Sequence, residues 1–457
     1  MSTSYEAIII GTGQAGPPLA RRLSAAGKTV AIIERGLFGG TCVNTGCIPT
    51  KAMVASAYAA RMAQRAAEYG VVLESRGSID MKRVKQRKDE IAGQSNRSVE
   101  SGLRTLPNCT VYQGHAQFAS PREVVVGTER LTADQIFINV GARPAIPPIP
   151  GLDAVPFLTN SSLMHLDTLP RHLIILGGSY VGLEFGQMFR RFGSEVTIVE
   201  AGPRLIARED EDVSTAIRDI LEREAIQVYL NTKCTGARKR GEETVFRTEG
   251  ATHEVSGSHV LIAVGRRPNT DDLGLAKAGI AADSQGYIQV DDQLRTNVPG
   301  VWALGDCNGK GGFTHTSYND FEIVAANLLD NDSRKVSDRI PTYALYIDPP
   351  LGRAGMTESE ARASRRQLLM GKRPMSRIGR AIEKGETLGF MKILIDAASE
   401  RILGAAILGT GGDEAIQSIL DVMYADRPYT TIQRAMHIHP TVAEFIPTVL
   451  GELQPLS

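Results

Sequence analysis

One short pattern occurs twice in this chain and limits what it can fold into. An apolar run at residues 5–10 is followed by Gly11-Thr12-Gly13-Gln14-Ala15-Gly16, an Ala/Leu/Arg stretch, and a second apolar run at 29–33 that ends at Glu34. The plan returns at 172–176, with Gly177-Gly178-Ser179-Tyr180-Val181-Gly182, then 195–199 and Glu200. In each copy the first Gly precedes the acid by 23 residues (34 − 11 and 200 − 177). Two further runs match, IFINVGARP at 136–144 and HVLIAVGRRP at 259–268, and they carry Gly141 and Gly265. Strand, Gly-rich turn, helix, strand and terminal acid in this order predict two copies of a dinucleotide-binding βαβ architecture. The first Gly allows the tight turn, the second lets the backbone approach a pyrophosphate, and the third lets helix and strand pack closely. The helix N-terminus favours the negative charge, and the terminal carboxylate accepts hydrogen bonds from ribose hydroxyls. Ser179 replaces the middle Gly of the second loop, which narrows the backbone approach only slightly.

The chain has 457 residues, more than one hydrophobic core of roughly 250–300 residues serves, so two or three domains are expected. Its 51 basic residues balance 51 acidic ones, which argues against a nucleic-acid or acidic-membrane partner. No apolar run reaches the roughly 18–20 residues of a membrane span. The start MSTSYEAIIIGTG has no basic n-region or small-residue cleavage site, and five cysteines make no disulfide scaffold. A cytoplasmic location is expected. Helices are predicted at 52–69, stopped by Gly70, and at 80–106, stopped by Pro107; the basic residues Lys82, Arg83, Lys85, Arg87 and Lys88 read as a solvated face of the second. Pro-rich stretches at 144–151 and 266–269 mark crossings between domains. After about residue 340, strands at 388–396 and 402–408 and helices at 413–425 and near 431–452 predict a separate α+β domain.

The segment GGTCVNTGCIPTK at 39–51 carries the chemistry. In a regular helix Cys42 and Cys47, five apart, stand about 140° apart around the axis and do not meet. Gly39, Gly40 and Gly46 relax the backbone, and Pro49 suits the first turn of a following helix. A thiol at that N-terminus near Lys51 is favoured as thiolate. A redox-active disulfide is the preferred reading, beside a half zinc site or two inert thiols. Zinc needs two more clustered ligands, and Cys109, Cys234 and Cys307 are solitary. Near the other end, His437-Ile438-His439-Pro440-Thr441-Val442-Ala443-Glu444 offers a base for thiol chemistry, with Glu444 five residues after His439 to orient the imidazole. Alone, a His-Pro pair reads more readily as a surface turn.

With GTGQAG, GGTCVNTGCIPTK, GGSYVGLE, VGRRPN, VWALGDC, DPPLGRAGMTE and HIHPTVAE in order from residue 8 to 444, the chain resembles the pyridine nucleotide–disulfide oxidoreductases of the dihydrolipoamide dehydrogenase, glutathione reductase and mercuric reductase type. The resemblance implies an α/β fold: two Rossmann-like dinucleotide-binding domains, for FAD and for NAD(P), plus a C-terminal α+β dimerisation domain. The implied divisions are an FAD-binding domain at 1–150 and 270–338, an NAD(P)-binding domain at 151–269, and a dimerisation domain at 339–457. Gly11, Gly13, Gly16, Glu34, Lys51, Gly114, Gly141 and Asp306 are the implied FAD contacts, and Gly177, Gly182, Glu200 and Gly265 the nicotinamide-dinucleotide ones.

By the same resemblance Cys47 is the flavin-proximal charge-transfer thiol and Cys42 the interchange thiol that meets substrate. Lys51 sits near the reactive flavin nitrogen, paired with Glu184, and Tyr180 is the aromatic gate over the flavin. His439 with Glu444 reaches the disulfide from the second subunit of a homodimer. Electrons then pass from NADH through FAD to the Cys42–Cys47 disulfide and on to a disulfide, reactive oxidant or metal-ion acceptor. NADH is favoured because Glu200 repels a 2′-phosphate, although Arg204 stands close in sequence. The acceptor is the open choice. Mercuric reductases of the family carry a C-terminal cysteine pair, and residues 431–457 contain none. The CVNTGC segment and HTSYNDF at 315–321 look nearest the mercuric-reductase-like branch, which includes flavoproteins protecting against reactive chlorine species and hypothiocyanous acid. Dihydrolipoamide dehydrogenase and mercuric reductase are the alternatives. An FAD- and NADH-binding redox sensor is the alternative of another class; the intact thiol pair with His439 and Glu444 argues for turnover instead.

Overall fold

The computed structural model describes residues 2–74 and 77–456. Near-continuous apolar runs make strands buried on both faces, as parallel sheets covered by helices require. In Thr3–Ile10, residues Ala7, Ile8 and Ile9 have no exposed surface, and in Val30–Glu34 every residue is buried. These two strands lie in one parallel run ordered Cys109–Gln113, Val30–Glu34, Thr3–Ile10, Glu129–Ile138, Val301–Ala303. A second parallel sheet repeats the plan as Gln227–Tyr229, Glu195–Val199, His172–Leu176, His259–Ile262. The register repeats as well. Ala7 pairs with Val30 and His172 with Glu195, each an offset of 23 residues (30 − 7 and 195 − 172). Both nucleotide-binding copies are thus present. Because Val301–Ala303 returns to Glu129–Ile138, the first unit is completed by chain that follows the second. The two matching segments after the fourth strands, Ala142–Pro144 and Arg266–Pro268, pair with each other antiparallel and join the units.

Both Gly-rich loops are held by the same contacts. Gly11 and Gly177 have φ +103° and +108°, and a Cβ on either would run into the carbonyl oxygen of the residue just after a fourth strand, Asn139 or Ala263. A Cβ on Gly16 or Gly182 would strike the carbonyl oxygen of Gly11 or Gly177. No side chain larger than hydrogen is accommodated at these four positions.

The C-terminal unit is an antiparallel sheet ordered Thr342–Leu345, Leu351–Gly355, Ile402–Leu408, Phe390–Asp396, Leu368–Pro374, Gln454–Pro455, with the helix Gly412–Tyr424 packed on it. Arg353 and Lys392 both stand opposite Ala406, so they lie side by side on one face. They are 2% and 1% exposed. Arg353 pairs with Glu209 and, at 3.0 Å, with Asp210; Lys392 reaches Asp210 at 3.1 Å and Asp212 at 2.8 Å. This cluster fastens the unit of the second parallel sheet to the C-terminal sheet. Arg353→Ala leaves the buried Glu209 carboxylate without a cation and Asp210 with Lys392 alone, and is expected to lower stability by about 3–5 kcal/mol, the scale of a broken buried pair. Urea unfolding measures it, and Arg353→Met is expected to lose no less.

Three expectations are corrected. The expected helix near 431–452 is two short ones, Thr430–Gln433 and Ile446–Gly451. Pro440 has no N–H to give a helix and turns the preceding His439 away from helical backbone. The helix expected at 52–69 begins earlier, at Cys47, and ends at Gln64, and a tight turn at Ala66–Tyr69 leads to Gly70 with φ +75°. The long polar helix is Met81–Arg104, capped by the Asp80 carboxylate, which accepts from the Arg83 N–H. Its basic residues are at least partly exposed except Lys88, which is buried and paired with Asp89.

Candidate active site

A cavity of about 560 Å³ opens at the C-terminal ends of the first sheet's parallel strands, where ligands of such sheets bind. Gly11, Gly13, Glu34, Gly114, Gly141 and Asp306 line one part of it. Cys42, Cys47, Lys51, Tyr180 and Glu184 line another. Of the remaining expected positions, Gly16 supports the first loop from behind. Gly177, Gly182, Glu200 and Gly265 belong to the second unit, and His439 with Glu444 lies on a separate surface; none of these seven lines the cavity.

The cysteines meet because the helix between them is broken. Cys42 lies in the short helix Gly40–Asn44 and Cys47 is the first residue of Cys47–Gln64. Gly46, at φ −132° and ψ −122°, separates the two. The Asn44 amide fixes the short helix by donating to the carbonyls of Phe38 and Gly40, both at 2.9 Å. Both residues are present as thiols, hydrogen-bonded to one another. The two differ in charge preference. The hydrogen bond from Cys42 holds the Cys47 thiol below the usual range, assisted by Thr314 and the Lys51 ammonium and opposed by burial and Glu184. The same hydrogen bond and burial push Cys42 up. Among the described residues no three His, Cys, Asp or Glu side chains form a metal-binding group.

The Lys51 ammonium lies 2.6 Å from a Glu184 carboxylate oxygen and 4.5 Å from the centroid of the Tyr346 ring. Glu184 is 5% exposed, and its second oxygen accepts from the Tyr346 N–H at 3.0 Å. Tyr180, first residue of Tyr180–Phe192, packs against Phe313 with ring centroids 5.4 Å apart; burial raises its phenol. Burial likewise raises the Asp306 carboxyl, against the pull of Arg266 at 3.4 Å. In each Gly-rich loop the strand-end acid ties down the backbone. Glu34 accepts from Thr12 N–H at 3.0 Å and Gly36 N–H at 2.8 Å; Glu200 accepts from Gly178 and Gly202 N–H, each at 2.6 Å. His439 donates from Nδ1 to the Glu444 carboxylate at 3.0 Å, with its side chain 79% exposed and that of Glu444 14%.

Sequence reasoning did not single out Asn139, Thr314, Phe313 or Tyr346, which line the same cavity. Asn139 stands inside a segment quoted for another reason, and Phe313 lies just before one. Tyr346 and Thr314 reach the site from a loop and a helix start more than 260 residues after the cysteines, and no local pattern marks them.

A family model described as pyridine nucleotide-disulphide oxidoreductase matches residues 5–320, and one for that family's dimerisation domain matches 341–450. The chain belongs to the pyridine nucleotide-disulphide oxidoreductases; it is an enzyme of the FAD-dependent, nicotinamide-linked type. It is 36% identical over 449 residues to the probable pyridine nucleotide-disulfide oxidoreductase RclA of Escherichia coli, covering 96% of this chain and 97% of that one. It is 32% identical to a mercuric reductase of Streptomyces lividans (97% and 94% covered) and 32% identical to a dihydrolipoyl dehydrogenase of Thermus scotoductus (96% and 95%). Among solved structures, the Cu(II) complex of the HOCl-induced flavoprotein disulfide reductase RclA from Escherichia coli superposes with a TM-score of 0.91 at 35% identity, over 98% of this chain and 99% of that one. The expected fold class and family are borne out. No helix among the described residues is long and apolar enough to cross a membrane.

The cavity fits FAD. The buried Asn139 side-chain N–H group has no protein partner and lies on the cavity wall. A Cβ on Gly141 would meet only open space there. Gly11, Gly13 and Gly40 bring bare backbone to the same wall.

Proposed function

We propose that this chain is a protective reductase, passing electrons from NADH through the Cys42–Cys47 pair to a reactive oxidant or metal ion. Bound FAD supplies the two-electron relay between nicotinamide and thiols. The observation that carries the reading is the unequal thiol pair facing the cavity, one sulfur favoured as thiolate and the other as thiol. Cys42 attacks or ligates the acceptor. Cys47, at the helix end beside Lys51, keeps the negative charge. Lys51 and Glu184 hold a fixed ion pair across the cavity, Tyr180 screens it, and Asp306 with the Gly11–Gly16 loop, Glu34, Gly114 and Gly141 holds FAD. Gly177, Gly182, Glu200 and Gly265 hold the nicotinamide dinucleotide. The corresponding domains are 1–150 with 270–338 for FAD, 151–269 for nicotinamide and 339–457 for the subunit interface of a homodimer. His439 of the partner subunit handles the proton at Cys42. The likeness to RclA, whose HOCl induction and Cu(II) complex are named for that protein, favours an inorganic acceptor over lipoamide.

Anaerobic NADH oxidation against lipoamide, glutathione disulfide, Hg(II), Cu(II) and hypothiocyanous acid tests the reading. Turnover with the inorganic acceptors supports it, and efficient turnover with lipoamide overturns it.

NADH is the proposed donor. Glu200 places a carboxylate at the strand end, and Arg204 is turned back on its own segment, donating to the Ala207 carbonyl at 3.2 Å. A 2′-phosphate meets the Glu200 carboxylate, while Arg204 is engaged with the Ala207 carbonyl. We expect kcat/KM for NADH to exceed that for NADPH by about tenfold or more, the factor that 1.4 kcal/mol of charge repulsion produces. Equal values, or a preference for NADPH, reject this donor.

A further inference from the structure

Thr314 is the first residue of the helix Thr314–Leu329, and its hydroxyl oxygen lies 3.2 Å from the Cys47 sulfur. Cys47 is itself the first residue of Cys47–Gln64. The N-termini of an 18-residue and a 16-residue helix therefore converge on one sulfur atom, and each end favours negative charge within its first turn. We propose that Thr314 is a positioning residue of the redox pair: its hydroxyl donates to the Cys47 sulfur and keeps the charge on that atom, not on Cys42, when the disulfide opens.

The inference rests on the reading of Cys42 and Cys47 as the redox pair. Opening the disulfide takes up two electrons, which the nicotinamide supplies in the enzyme's own reaction, and one proton. The S–S bond breaks, Cys42 keeps the proton as a thiol and Cys47 keeps the charge as a thiolate. The Thr314 hydroxyl is also within reach of Cys42, but it has one proton to give, and the charged sulfur is the stronger acceptor. The other groups facing Cys47 are the Cys42 thiol and Lys51, which favour the charge, Glu184, which opposes it, and the Tyr346 phenol. A change at Thr314 leaves all four in place. Removing the hydroxyl therefore separates its effect from theirs.

The test uses the FAD-loaded Cys42→Ser protein, in which Cys47 is the one remaining thiol of the pair. The rate of Cys47 alkylation by iodoacetamide is followed against pH by peptide mass spectrometry. Adding Thr314→Val is expected to move the thiolate midpoint up by about one pH unit, a roughly tenfold slower labelling below both midpoints. Thr314→Ser is expected to keep the parent's midpoint. Coincident curves for Thr314→Val and its parent overturn the proposal, as does an equal shift in Thr314→Ser, which would trace the effect to the methyl group. Thr314→Ala replaces Thr314→Val if the latter does not retain flavin absorbance. The underlying reading is checked apart from this, by counting thiols in the unmutated protein before and after NADH. Two thiols gained support the pair. No gain rejects the pair whatever Thr314 does.

Discussion

Cys42→Ser and Cys47→Ser each lower turnover with the physiological acceptor by on the order of a thousandfold or more, the scale on which removing one member of a covalent catalytic unit acts. The two thiols are useful only together. Cys42 alone cannot be regenerated by disulfide exchange within the pair, and Cys47 alone has no interchange thiol to pass its electrons to. The double variant is therefore expected to be no slower than either single one, because residues that act as a unit are not additive. NADH oxidation by a quinone, which needs no thiol, distinguishes a chemical defect from a folding one: it persists in all three variants if the cavity still holds FAD. Steady-state rates with the best inorganic acceptor and with the quinone, measured on the same preparations, give the answer. Should Cys42→Ser keep full activity with that acceptor, reduction bypasses the thiol pair, and the proposed path is wrong.

The parts of the fold legible in the sequence are those that local backbone sterics dictate. The duplicated Gly-rich loops were readable because Gly11 and Gly177 need positive φ beside a carbonyl, and Gly16 and Gly182 allow no side chain. Those requirements leave a mark in a short stretch of residues, and the shared 23-residue register follows from them. The break between Cys42 and Cys47 was legible for the same reason, since Gly46 interrupts what is otherwise continuous helix. Lys51 and Glu184 were named as partners through family resemblance, and the structure brings them to 2.6 Å. Contacts set by tertiary packing left no such mark. Thr314 and Tyr346 meet the thiols only because Thr314–Leu329 and the loop after Thr342–Leu345 converge there. Lys88 reads as one of five surface cations, and is buried because it falls on the inner side of a helix whose neighbours are not. The helix expected near 431–452 is interrupted at Pro440, whose missing N–H ends it, in keeping with the His439-Pro440 pair that by itself reads as a turn.

His439 calls for a test that separates its chemistry from its address. Its ring is held by Glu444 through Nδ1, which leaves Nε2 directed outward on a side chain that is 79% exposed. Within its own chain it does not line the cavity that holds Cys42. Near it, Met436 is fully exposed and Ile438 is 81% exposed, apolar surface suited to burial against a second copy. Both lie in the region matched by the dimerisation-domain family. His439→Ala is accordingly expected to lower kcat by about a hundredfold to ten-thousandfold, the range for a lost general acid–base. Glu444→Gln, which leaves the imidazole present but less well oriented, is expected to cost less. The address is decided by a hybrid dimer carrying Cys42→Ser in one subunit and His439→Ala in the other, isolated through two different tags. If His439 serves the opposite subunit, one site of the hybrid has both defects and the other has none. Turnover then returns to about half that of the unmutated dimer, as two-fold symmetry requires. If His439 serves its own subunit, each site keeps one defect and the hybrid is as inactive as its parents. The second result would reject the homodimer as the catalytic unit while leaving the thiol chemistry of Cys42 and Cys47 intact.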